Sequence, residues 1–228
     1  MNALILAAGR GERMRPLTDH TPKPLLPVRG KPLIEWHLQA LARAGVLEVV
    51  INTAWLEEQF PAALGDGARW GLRIRYSQEG RDHGGALETA GGMKKALPWL
   101  GERFWVVSGD VFLPGFAFDA RAADMMDRRG ALAQLWLVDN PPHHPRGDFG
   151  IRDGLAVNDA EPRYTWASVG LFRAAFVETL MADLPIGTKA PLRPYFEAAI
   201  ARSALGAEHY AGPWTDVGTV ERLQTLQG

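Results

Sequence analysis

The sequence predicts an α/β fold in which a doubly wound, mostly parallel mixed sheet carries a β-rich lid. Three observations predict it. Apolar runs of about four to eight residues, such as Ala3 to Ala8 and Phe104 to Ser108, end at glycine, as buried strands of a parallel sheet do. Through Val138 these runs alternate with segments whose apolar residues recur at helical spacing. From Asp139 onward the alternation gives way to turn-rich stretches and hairpin patterns, which read as the lid. In Rossmann-like sheets of this kind ligands lie at the carboxyl ends of the strands, and Gly9 and Asp110 both fall at such ends.

The first strand, Ala3 to Ala8, runs into a long polar loop that reaches Pro27. Small residues at Ala7, Ala8, Gly9 and Gly11 let backbone N–H groups approach an anion closely. Arg10, Arg13, Arg15 and Lys23 add side-chain charge suited to a polyphosphate. Pro16, Pro22, Pro24 and Pro27 fix φ and remove donors, so the loop is expected to be stiff and not helical.

Gly30-Lys31-Pro32 then opens a helix with Pro32 at its first position, and Leu33, Ile34, Leu38 and Leu41 line its apolar face until Gly45. Val46 to Thr53 is a strand, Leu56 to Leu64 a helix that contains Pro61, and Leu72 to Ser77 an alternating strand. Gln78 to Ala86 is polar, glycine-bearing and aperiodic, which reads as a mobile loop beside the ligand. Leu87 to Gly92 leads into a short helix through Leu97, Phe104 to Ser108 is a strand ending in Gly109-Asp110, Ala120 to Arg129 a helix and Ala131 to Val138 a strand.

Beyond it, Pro141 to Asp148 is an irregular loop, and Phe149 to Val157 a hairpin around Asp153-Gly154. Tyr164 to Phe172 is a strand, Ala174 to Met181 and Pro191 to Ala201 are helices, and Trp214 to Thr219 precedes a final helix. The expected organisation is a single domain, with a core over 1–138 and a lobe with a C-terminal helix over 139–228.

Composition narrows the partners. At 228 residues and 46% hydrophobic the chain can bury one substantial core. A net charge of −1 from 25 basic and 26 acidic residues argues against nucleic acid or an anionic membrane, so any anion site is local. With no cysteine there is no disulfide, thiolate metal site or cysteine nucleophile, which suits a reducing compartment. Met1 to Ala8 lacks the basic flank of a signal peptide, and no apolar run approaches the roughly 20 residues of a membrane span. A soluble cytoplasmic protein is expected. Adjacent His143 and His144 make a poor metal site, because their side chains diverge in extended chain.

Gly9-x-Gly11-x-Arg13-Met14-x-Pro16-Leu17-Thr18 with Pro22-Lys23-Pro24 resembles the signature of the sugar-1-phosphate nucleotidyltransferases. Leu87-Glu88-Thr89, Ser108-Gly109-Asp110, Asp148-Phe149 and Trp214-Thr215-Asp216-Val217-Gly218-Thr219 follow in that family's order. Within it, Gly11 to Pro16, Asp139-Asn140-Pro141 and Arg146 to Phe149 look most like the uridylyltransferases that act on N-acetylmuramate 1-phosphate in peptidoglycan recycling.

The resemblance implies transfer of a uridylyl group from UTP to N-acetylmuramate 1-phosphate, with Mg²⁺ as cofactor; the alternative is transfer of a uridylyl, thymidylyl or guanylyl group to another hexose 1-phosphate. It implies two catalytic residues, Arg13 along the β- and γ-phosphates and Lys23 between the α-phosphate and the sugar phosphate. Ala7, Ala8, Gly9, Gly11, Glu12, Arg13, Lys23, Glu88 and Thr89 would bind the nucleotide. Glu12 would face the ribose or cap the loop, its backbone N–H doing the binding. Ser108, Asn140, Asp148 and Glu161 would bind the sugar, with Arg146 or His144 answering a lactyl carboxylate, and Asp110 and Asp216 would hold the metal. The short C-terminus lacks trimerising hexapeptide repeats, which implies a monomer or weak dimer.

Blander readings stand beside these. Asp110 and Asp216 each also read as a helix N-cap or turn former, and Glu88-Thr89 as a plain helix start capped by Thr89. Most of the eight tryptophans read as packing, with Trp166 and Trp214 as candidate stacking platforms. Met14 at the place of a third glycine argues against a redox dinucleotide, and no Asp-x-Asp at a strand end supports a glycosyltransferase. A non-catalytic sugar-nucleotide sensor is expected to have lost Lys23, Asp110 or Asp216, and all three are present.

Overall fold

Successive residues of the first strand are buried in different cores, and that fact organises the molecule. The computed structural model describes residues 1–227. In it β1 (Asn2–Leu6) runs into three single-turn 3-10 helices, Glu12–Met14, Leu17–Asp19 and Lys23–Leu25, then β2 (Pro27–Val28), β3 (Lys31–Pro32) and α1 (Leu33–Arg43). β4 (Glu48–Thr53), α2 (Gln59–Leu64), β5 (Arg73–Gln78), α3 (Glu79–His83) and α4 (Glu88–Ala96) follow. Next come β6 (Arg103–Ser108), β7 (Val111–Phe112), α5 (Arg121–Arg128) and β8 (Ala133–Val138). The remainder is β9 (Phe149–Arg152), β10 (Leu155–Val157), β11 (Arg163–Arg173), α6 (Ala174–Leu180), α7 (Arg193–Ile200), β12 (Leu205–His209), β13 (Thr215–Asp216) and α8 (Val220–Thr225).

Nine strands form one sheet in the order β5-β4-β1-β6-β11-β8-β12-β10-β9. β5, β4, β1 and β6 are parallel, β11 enters antiparallel between β6 and β8, and β12 is again parallel to β8. The sheet is therefore mixed and mostly parallel in its first half, as the sequence predicts. β11 joins the two halves of the chain in this one sheet, and its start also pairs with β9, so that β8 to β12 form a closed cycle of pairings.

Ala3 and Ile5 join a core with Ile34 and Leu38 of α1, Phe60 of α2 and Met126 of α5. Leu4 joins a second core with Met93 of α4, Phe176 of α6 and Phe196 of α7. Burial on both faces is why these strands read as unbroken apolar runs. A third cluster gathers Met14, Leu26, Val28, Leu33 and Phe112 with Val217, Leu223 and Leu226, and so clamps the glycine loop to α8.

Several local expectations are corrected. Pro32 does not open α1: it pairs with Pro27 in a tight hairpin turned by Arg29 and Gly30, both at positive φ, and the helix starts at Leu33. The proline-rich loop is helical in short pieces, because the φ that proline imposes also suits a 3-10 turn. Pro61 lies in the first turn of α2, where its missing N–H costs nothing. Gln78 to Ala86 is not all loop, since Glu79–His83 forms α3. Thr89 does not cap α4, whose N-cap is Leu87. The hairpin at Asp153-Gly154 forms as expected, with both residues at positive φ. Among the described residues no helix is long and apolar enough to cross a membrane.

Candidate active site

Leu6, Asn52 and Ser108 are cross-strand neighbours at the carboxyl ends of β1, β4 and β6. Above them lies a cavity of about 250 Å³. Its walls are Leu6, Ala7, Ala8, Gly9, Gly11, Lys23, Pro24, Asn52, Ala86, Glu88, Thr89, Ser108 and Asp110. Nine of the residues singled out from the sequence thus converge on one space from three distant parts of the chain.

The loop that forms one wall is held from within. Gly11 sits at φ 68°, and a methyl there would lie 3.0 Å from Thr18 Cγ2 and 3.3 Å from Lys23 Cβ, so only glycine lets these turns close. Thr18 Oγ1 donates to the Gly11 carbonyl at 2.8 Å. Lys23, almost fully buried, projects its Nζ to 2.6 Å from Asp110 Oδ2. Gly109 leaves β6 by donating its N–H to the Leu6 carbonyl at 2.8 Å, which sets Asp110 at the cavity edge.

Asp216 reaches the same place from the opposite end of the sequence. β13 pairs antiparallel with β7, Asp216 opposite Val111, and the Val217 N–H donates to the Asp110 carbonyl at 2.8 Å. One oxygen of Asp216 accepts from Arg222 Nη1 at 2.5 Å and the other lies 3.2 Å from His143 Nε2. Arg13 and Glu12 are exposed and do not line the cavity. A methyl at Gly218 would lie 3.2 Å from Arg13 Nη2, so the Arg13 guanidinium reaches over the Asp216-bearing turn.

Of the four residues expected at a sugar, only Ser108 lies in this cavity. Asn140, Asp148 and Glu161 line a separate, wider cleft of about 720 Å³, together with His144, Arg146, Arg163 and Arg193. Asn140 is engaged with the protein: its Nδ2 donates to the Arg163 carbonyl at 3.0 Å and its Oδ1 accepts from Thr165 Oγ1 at 2.9 Å. Asp148 accepts from the Trp166 N–H at 2.8 Å and lies 3.3 Å from His144 Nε2. The adjacent histidines do diverge, His143 to Asp216 and His144 to Asp148, and so connect the cleft to the cavity edge. Trp166 and Trp214 each donate the ring N–H to a backbone carbonyl of β11, at Val169 and Ala167. Both indoles are partly buried against the cores, Trp214 on the first and Trp166 on the second.

Two residues not singled out from the sequence are Asn52 of the cavity wall and Glu79 buried behind it. Asn52 accepts the Ala7 N–H at 2.7 Å and donates to Glu79 Oε1 at 2.8 Å, while the Leu87 N–H donates to Glu79 Oε2 at 2.7 Å. Glu79 is fully buried. Burial raises its pKa, opposed by the Leu87 and Asn52 hydrogen bonds and the nearby Lys95 ammonium. Arg193, Arg222 and Lys95 were missed too, since lone basic residues on polar helices carry no sequence signal.

A family profile for nucleotidyl transferases matches residues 2–153, which carry every part of the glycine-lined cavity. The chain belongs to the nucleotidyl transferase family. Relatives of this nucleotidyl transferase include the N-acetylmuramate alpha-1-phosphate uridylyltransferase of Neisseria meningitidis serogroup B, 46% identical, with 100% of this chain and 97% of that protein covered. The mannose-1-phosphate guanylyltransferase of Mycobacterium tuberculosis is 37% identical over 97% of this chain and 62% of its own length. A crystal structure from Bacillus anthracis, determined in complex with a sucrose, matches the fold with a TM-score of 0.84 at 21% identity, covering 100% of this chain and 94% of that one.

Proposed function

We propose that this nucleotidyl transferase moves a uridylyl group from UTP to N-acetylmuramate 1-phosphate and releases pyrophosphate, in the cytoplasm, as a step of peptidoglycan recycling. The observation that carries the chemistry is the meeting of Lys23 with Asp110, 2.6 Å apart, in a cavity walled by Gly9 and Gly11. The choice of substrates rests on the 46% identity, over the whole chain, to a uridylyltransferase named for that sugar phosphate.

In this reading the Ala7–Ala8 and Leu87–Thr89 backbone strips bind the base, and Gly9, Gly11 and Glu12 present backbone N–H groups to the triphosphate. A sugar-phosphate oxygen attacks the α-phosphorus in line, the bond to the bridging oxygen breaks, and pyrophosphate departs. Lys23 lies between the two reacting phosphates and offsets their repulsion, and Arg13 answers the charge of the leaving group; positioning and charge neutralisation are what this chemistry needs. Ser108 faces the sugar from the cavity, and the cleft of Asn140, Asp148 and Glu161 receives the rest of it, with Arg146 and Arg193 available to a lactyl carboxylate.

Asp110 and Asp216 would hold Mg²⁺, which when bound neutralises charge on the phosphate oxygens. The donor set fits a hard cation: it is two carboxylates with no sulfur, Asp216 on β13 and Asp110 just before β7, whose carbonyl accepts the Val217 N–H. Among the described residues no group of three or more His, Cys, Asp or Glu could hold a metal ion, so the proposed Mg²⁺ would need oxygen ligands beyond these two carboxylates.

Pyrophosphate release is to be measured over a grid of nucleoside triphosphates and sugar 1-phosphates with Mg²⁺. Release confined to UTP with N-acetylmuramate 1-phosphate supports the proposal. Faster release with another pair moves the assignment to that pair.

A further inference from the structure

Glu79 is a carboxylate with no part in the transfer chemistry, yet the fold buries it completely beside the cavity. Burying a charge is costly unless it is paired and hydrogen-bonded throughout. Here each oxygen faces one N–H donor, Asn52 Nδ2 at 2.8 Å and the Leu87 amide at 2.7 Å. The far end of Asn52 takes the Ala7 N–H at 2.7 Å. One unbroken path therefore runs from the end of β1, through the ends of β4 and β5, to the turn that starts α4.

Its two termini are the two backbone strips of the cavity. Leu87 is held on both sides, by Glu79 at its N–H and by the Ala190 N–H at its carbonyl, 3.0 Å away. Next to it Glu88 sits at φ 59°, a left-handed conformation that costs a non-glycine residue about 1–3 kcal/mol and persists only where neighbours enforce it. The backbone of α4 presses on the path as well. A methyl at Gly92 would lie 2.5 Å from Asn52 Nδ2 and 2.7 Å from Glu79 Oε1.

We propose that Glu79 is a positioning residue for base recognition: through Asn52 and the Leu87 amide it fixes the distance between the Ala7–Ala8 and Leu87–Thr89 strips that receive the pyrimidine. The inference rests on reading this cavity as the nucleotide site. The pattern of donors makes it specific. Glu79→Gln keeps the volume but sets an NH₂ against Asn52 Nδ2 or the Leu87 N–H, and Asn52→Asp sets carboxylate against carboxylate. Exchanging both restores every bond: the carboxylate at 52 accepts from Ala7 and from the amide at 79, whose oxygen accepts from Leu87.

The test measures UTP binding by calorimetry, turnover at saturating UTP, and melting temperature for the parent, E79Q, N52D, the N52D/E79Q double variant and G92A. Each single variant is expected to weaken UTP binding about tenfold, the cost of one unsatisfied buried polar group, and to lower turnover at saturating UTP by a smaller factor. The double variant should return UTP affinity to within about threefold of the parent, and single variants that lose affinity while still folded at the assay temperature separate this from a loss of general stability. E79Q binding UTP as tightly as the parent, or a double variant no better than the worse single one, overturns the inference. Gly92→Ala raises helix propensity while crowding the pair, so it reports even where E79Q does not fold; unchanged UTP affinity in that variant also overturns it. A parent that binds no UTP and releases no pyrophosphate from it overturns the nucleotide reading itself.

Discussion

The ammonium of Lys23 lies 2.6 Å from Oδ2 of Asp110, although 87 positions separate the two in the chain. Each neutralises the other at the cavity edge, with the lysine side chain 11% and the aspartate 36% exposed. In the proposed transfer, the reacting phosphates would take the place of the carboxylate as the partner of Lys23. Lys23→Ala removes that partner and leaves an unpaired aspartate facing the anions. Turnover is expected to fall by about 100-fold or more, and UTP affinity by less, because the charge it answers is greatest in the transition state. Steady-state pyrophosphate release together with calorimetric UTP binding separates the two, and equal losses would sink the role.

Asp216→Asn keeps the side chain's shape beside Arg222 and His143 but halves the carboxylate set. The Mg²⁺ concentration for half-maximal activity should rise about tenfold or more, with turnover at saturating metal also reduced. A magnesium titration within a few-fold of the parent's would remove Asp216 from the metal assignment.

Met14 is fully buried between the glycine loop and α8. Met14→Ala is expected to lower unfolding stability by about 2–5 kcal/mol, through lost burial and the cavity left behind. Urea denaturation reads this directly. A change below about 1 kcal/mol, the size of a surface substitution's effect, would mean the loop rests on its hydrogen bonds alone.

His37 is fully buried beneath β7, its Nε2 2.9 Å from the Val111 carbonyl, and burial lowers its pKa to about 4. The folded state thus keeps it neutral where the unfolded chain, near pKa 6.5, is already protonated. The unfolded state binds the extra proton between those values, so stability rises with pH through that window and is lost as pH falls from 6.5 toward 4. The loss should reach roughly 3 kcal/mol. His37→Gln can keep a donor to Val111 and has nothing to titrate. Parallel pH profiles for the two proteins would exclude His37 as the source.

That the glycine loop, Lys23 and Asp110 would meet in one place was legible because each sits in a short run of residue types that suit one another. The sheet was legible where strands bury both faces. Where the signal failed, it did so for physical reasons. β12 contains Gly206 and ends in Glu208-His209, a poor strand by propensity, and it forms because β8 supplies a parallel partner. β7 and β13 are two residues each, too short for any period, yet their pairing brings Asp110 and Asp216 together. Asn52 closes an apolar strand and Glu79 opens a five-residue helix. In sequence both are ordinary polar residues at element ends, and only the sheet makes them neighbours. Asn140, by contrast, was legible as a polar residue in a cleft, but its side chain donates to the Arg163 carbonyl and accepts from the Thr165 hydroxyl.

The burial of Met14 against Val217 and Leu223 makes the site a property of the whole chain. The chain as far as β8 carries the glycines, Lys23, Asp110 and the Leu26, Val28, Leu33 and Phe112 side of the Met14 seat, whereas Asp216 and the Val217, Leu223 and Leu226 side come from its end. The apolar seat of the glycine loop is therefore shared between the two ends of the chain, and the loop has its full support only when α8 is packed against it.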